Sequence, residues 1–154
     1  MRGVSMVEVL VSVVVLSVGI LGNAALYFTA LQAKTTALSR MQAVNLVNDM
    51  ADRIRANRTA GPAYEIAATK AAPSPTVNCV DTSTGKSTVC TPTEMAAADL
   101  YLWSTSVGSA LSSKATRSIA VDVSTAPPTY TIMITWPATV AGTSNLRHLL
   151  RVQI

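Results

Sequence analysis

The sequence predicts an α+β fold: one long N-terminal helix, transmembrane and then amphipathic, packed on a small domain with a short helix and an antiparallel β-sheet. Three observations point there. Residues Val9 to Ala33 form an apolar run broken only by uncharged residues such as Ser12, Gly19, Asn23 and Gln32. No proline occurs before Pro62. Near the C-terminal end the apolar period changes to two, the spacing of a strand with one buried face.

The apolar run is about 25 residues, which at about 1.5 Å per residue exceeds a ~30 Å hydrocarbon core. It is long enough to span a bilayer. A cleaved export signal is the competing reading, with Arg2 as its basic end and Gly22-Asn23-Ala24 as a small-residue cleavage site. Against it, Glu8 stands at the head of the run, where a signal favours cations, and the helical pattern continues past the candidate site.

Beyond Lys34 the residues Leu38, Met41, Val44, Val47, Ala51 and Ile54 follow at helical spacing and predict an apolar stripe. Asp49 with Arg53 and Asp52 with Arg55 form acid-first pairs on what reads as a solvated face. Gly61-Pro62 stops the pattern, so the expected helix runs from about residue 5 to 57 and is about 80 Å long. Gly19 and Gly22 either bend it or let a neighbouring helix approach closely. The expected divisions are residues 1–3, 4–33 (the transmembrane half), 34–58 (the amphipathic half) and 59–154.

Residues 61–91 are rich in turn formers and read as a loop region. The two cysteines, Cys79 and Cys90, lie here without a His or third Cys nearby, so they do not suggest zinc. In an exported domain they read as one disulfide, worth about 3 kcal/mol by the chain-entropy argument. In a cytosolic protein they would be reduced thiols. Thr91, Pro92 and Glu94 then have the pattern of a capping box that starts a helix, with Ala96, Leu100, Trp103 and Val107 as its apolar face. Ile119 to Val123 and Tyr130 to Trp136 alternate as two antiparallel strands, and Leu146 to Ile154 is a third candidate. Trp103 and Trp136 read as core.

Charge and motifs narrow the function. A formal charge of +4 is mild and scattered, and no basic run interleaves with aromatics, so specific nucleic-acid recognition is not expected. His148 is the sole histidine. No phosphate loop, nucleophile elbow or paired-carboxylate motif accompanies it, so no enzyme, metal or cofactor is expected.

Gly3-Val4-Ser5-Met6-Val7-Glu8, followed at once by the apolar run, resembles the processing site of type IV prepilins and type II secretion pseudopilins. In that family a short leader ends in Gly and a Glu stands at the fifth mature position. The resemblance implies cleavage after Gly3, N-methylation of Val4 by prepilin peptidase, and an assembly role for Glu8. The physical logic is that cleavage exposes an amine on Val4, and an unpaired charge at membrane depth costs about 2.5–3.5 kcal/mol or more. Glu8 of an adjacent subunit can neutralise it and fix register. Val4 departs from the Phe usual in the family, and Arg2 is the leader's one basic side chain. Either the leader begins upstream of Met1 or it works in this minimal form.

A second likeness is to PilV-type minor pilins, or pilus modification proteins. It rests on Asp49 to Asn57 followed by Tyr64, the paired cysteines, Thr93 to Leu100 with Trp103, and Tyr130 to Trp136. This implies a pilin-like fold and a minor pilin that primes or joins a type IV pilus, supporting twitching motility and adhesion. The implied partners are other minor pilins and the major pilin through the N-terminal helix, with a tip adhesin left open. The implied location is the bacterial inner membrane with the C-terminal domain in the periplasm, and then the extracellular pilus. A type II secretion pseudopilin, or an exported binding domain that docks a ligand on its sheet, are the alternatives.

Overall fold

The computed structural model describes residues 5–77, 79, 89–138 and 144–154. The chain divides into two compact units, Met1–Ala37 and Leu38–Ile154.

Helix α1 runs from Met6 to Ala56, and its first part makes up the described portion of the first unit. It is the one described helix long and apolar enough to cross a membrane. Its large side chains there are exposed, Leu16 and Leu26 among them, and none of the described residues buries them. The serine and threonine hydroxyls within the apolar run are satisfied internally. Ser12 donates to the Glu8 carbonyl at 2.7 Å, Ser17 to Val13 at 2.7 Å and Thr29 to Ala25 at 3.1 Å. In a medium without water, that back-bonding removes the cost of an unpaired donor.

The second unit takes in the rest of α1. Its buried face is Ala43, Val47, Met50, Ala51 and Ile54. The expected stripe is therefore corrected at its start, since Leu38, Met41 and Val44 are 47%, 60% and 37% exposed. The cause is angular drift. Three residues turn a helix by about 300°, so consecutive steps of three slip backwards, and Leu38 ends about half a turn away from Val47. Steps of four and three, as in Ala43, Val47, Met50 and Ile54, hold one face.

Residues Arg58–Tyr64 follow as a 3-10 segment that runs into the start of the expected loop at residue 61, and Gly61 within it has φ 51°. That left-handed backbone is open to glycine at little cost. Helix α2, Pro92–Ala110, starts with the full capping box. Its Ala96, Leu100, Trp103 and Val107 are buried. Strands β1 (Thr116–Asp122), β2 (Thr129–Trp136) and β3 (Leu146–Gln153) form an antiparallel meander in that order. The register pairs Ile119 with Ile132 and Ile132 with Leu150. The core lies between one sheet face and the two helices, with Ile119, Ile132, Ile134 and both tryptophans buried in it.

Candidate functional site

Two groups of residues bear on function, one in each unit. In the first unit, Glu8 occupies the first turn of α1, where an acid suits the helix N-terminus. Its backbone N–H donates to Ser5 O at 3.0 Å. Among the described residues its side chain has no ion-pair partner, and its neighbours Val7, Val9 and Leu10 are exposed apolar groups. Gly3 and Val4, the expected cleavage and methylation positions, lie outside the described residues.

In the second unit a polar clamp closes the C-terminal end of α1. Arg53 Nε donates to Asp49 Oδ2 at 3.0 Å, and its Nη1 reaches Asp99 Oδ1 of α2 at 2.9 Å. Tyr64 Oη donates to the other oxygen of Asp99 at 2.7 Å. Asn57 Nδ2 donates to Tyr64 Oη at 3.1 Å and to the Pro92 carbonyl at 2.8 Å. Asp99 is only 6% exposed, so its charge is tolerated because both oxygens are engaged. Burial opposes the charge on Arg53, yet hydrogen bonds to Asp49 and Asp99 outweigh it and raise its pKa. Burial, and then donation to Asp99, push the Tyr64 hydroxyl far above its ordinary value. Trp103 adds a second tie, its Nε1 donating to the Leu46 carbonyl of α1 at 2.8 Å.

The sequence reading found the Asp49–Arg53 and Asp52–Arg55 pairs, which close at 3.0 and 2.6 Å. It missed that Arg53 turns inward to Asp99. An acid three residues past the Ala96 position, on a helix otherwise apolar on that side, was the available signal. Cys79 and Cys90 are joined as a disulfide with Cα atoms 5.8 Å apart. Among the described residues, no group of three or more His, Cys, Asp or Glu side chains could hold a metal.

The profile of the Tt1218-like family, described as type IV pilin Tt1218, matches residues 25–101. That stretch is half of the chain. It begins inside the apolar run of α1, ends inside α2, and holds every member of the Asp99 clamp. The chain belongs to the Tt1218-like type IV pilin family. No curated protein and no solved structure matches it. The match leaves out Gly3, Val4 and Glu8, so membership rests on the body of the pilin and not on its processing motif. Membership points to assembly with other pilins, and within the second unit the clamp holds α2 and the 3-10 segment against the C-terminal end of α1.

Proposed function

We propose that this pilin is a minor, PilV-like subunit that joins or primes a type IV pilus. In this reading prepilin peptidase removes residues 1–3 after Gly3 and methylates the new N-terminus at Val4. Residues 4–33 are held in the inner membrane with the 59–154 domain in the periplasm, until the subunit is drawn into the filament beside other minor pilins and the major pilin. The subunit would then support piliation, twitching motility and adhesion.

The observation that carries the reading is Glu8, one carboxylate on an apolar helix face that no described residue covers. A charge left alone beside lipid is costly, and a bundle of such helices supplies a partner in the methylated amine of the adjacent subunit. Processing is tested by sequencing the mature N-terminus and by Gly3→Val. The expected result is methylated Val4 in the native pilin and a retained, unprocessed Gly3→Val form, with pilus number reduced when the subunit is deleted. Normal piliation with a defect in enzyme secretion would instead assign it to a type II secretion apparatus. A mature start near Ala24 would overturn the pilin-processing reading altogether.

A further inference from the structure

The two edges of the sheet are treated differently. On the β1 side, Ile66 N donates to Ile119 O at 3.0 Å and Ile119 N to Ile66 O at 2.9 Å, so part of that edge is already paired. Since Ile119 turns its main-chain groups outward, Ile119 and Ile132 form a non-hydrogen-bonded pair, and Ile132 bonds towards β3. The alternation then fixes β3. Leu146, His148, Leu150 and Val152 bond to β2, while Arg147, Leu149, Arg151 and Gln153 point their N–H and C=O groups away from the sheet. The bond from Ile154 N to Pro128 O, at 3.1 Å, continues the same parity. Among the described residues nothing pairs with this outward row.

Burial agrees with an open edge. Alternate β2 residues are buried, whereas no residue of β3 is, and Leu149 is 50% exposed. The side chains of Arg147, Leu149 and Arg151 share the outer sheet face and read basic–apolar–basic. Neither arginine forms an ion pair among the described residues. The nearest acid influence is with Asp122 of β1, where Arg151 is the smallest of the factors lowering the carboxyl pKa, behind the bonds from Ser124.

We propose that the β3 edge is a strand-addition site for an extended segment of a partner protein that reads acid–x–apolar–x–acid. Such a segment satisfies the outward N–H and C=O row through its own main chain, and its side chains meet Arg147, Leu149 and Arg151 in register. A second copy of β3 is the poorer occupant. Antiparallel pairing centred on Leu149 sets Arg147 opposite Arg151 twice, and like charges directly opposed are destabilising. The same arginines thus block self-pairing, as edge charges commonly do, while selecting an acidic strand. The site rests on the geometry of the second unit and is independent of the minor-pilin reading.

The test uses the full chain in detergent micelles and a blocked peptide, Thr-Glu-Thr-Val-Thr-Glu-Thr, with its Glu-to-Lys counterpart as control. Amide hydrogen exchange is followed residue by residue. The expected result is at least about tenfold slower exchange at Arg147, Leu149, Arg151 and Gln153 with the glutamate peptide and none with the lysine peptide, a difference of about 1.4 kcal/mol or more. The double variant R147E/R151E should reverse the preference, which also shows that the variant is folded and its edge intact. Equal protection by both peptides, no protection by either at millimolar concentration, or protection that grows with protein concentration alone overturns the proposal; the last outcome makes a second copy the occupant.

Discussion

Asp99 shows why a single buried acid can decide how a small unit holds together. One oxygen takes Arg53 and the other takes Tyr64, so removing the carboxylate leaves the guanidinium with Asp49 alone and the buried Tyr64 hydroxyl without an acceptor. Breaking a buried pair by deleting one partner costs about 3–5 kcal/mol, and the partial solvent access of Arg53 lowers this to about 2–4 kcal/mol for Asp99→Ala. Urea unfolding of the second unit is the measurement. Tyr64 supplies a pH test with a definite sign. Its folded pKa lies above the ordinary value of 10.0, so its contribution is complete below about pH 10 and is lost as pH rises beyond it. In Tyr64→Phe the slope of stability against pH above that point should shrink by about 1.4 kcal/mol per pH unit, one proton's worth. Tyr130, also raised by burial, contributes in the same direction. At this scale the sequence disclosed the Arg53–Asp49 bond, because four residues on a helix bring two side chains together. It could not disclose Arg53–Asp99, because a partner 46 residues away depends on how two helices pack.

Elements were more legible where local chemistry alone sets them. The start of α2 is fixed by Thr91 and Glu94: Glu94 N donates to Thr91 Oγ1 at 3.3 Å and Thr91 N to Glu94 Oε2 at 2.8 Å. The bond from Thr91 N to Glu94 Oε2, and then the one the Thr91 hydroxyl donates to the same oxygen at 2.7 Å, hold the Glu94 carboxyl below its ordinary value. The support they give is present above that value and fades as pH falls through the lowered one. Thr91→Ala should cost about 1 kcal/mol and lower the melting temperature by several degrees. The three strands were legible because β alternation survives packing on one face. The stripe of α1 was legible only in its second half. Apolar identity marks a candidate, but only angle decides burial, and Leu38 and Met41 stand outside the buried face. Met41→Gln should accordingly leave unfolding within about 0.5 kcal/mol of the parent, as at other exposed sites.

For the molecule as a whole, the same helix belongs to a unit with a buried core and to one without, and this separation makes a clean prediction for Glu8. Glu8 lies in the first unit and takes no part in the Asp99 clamp or the disulfide, so Glu8→Gln should leave the unfolding curve of the second unit unchanged. Its effect should fall on assembly alone. On the proposed pairing of Glu8 with a neighbour's methylated amine, an amide keeps shape and hydrogen bonding but leaves that amine with the cost of an unpaired ion at membrane depth, about 2.5 kcal/mol or more per subunit. A tenfold change in equilibrium takes about 1.4 kcal/mol, so the variant's share of sheared filaments should fall by more than tenfold while its level in the membrane holds. Quantifying the subunit in both fractions measures this. Undiminished incorporation of Glu8→Gln would mean that the carboxylate does not serve as the partner of that amine, and that apolar packing of α1 sets register unaided.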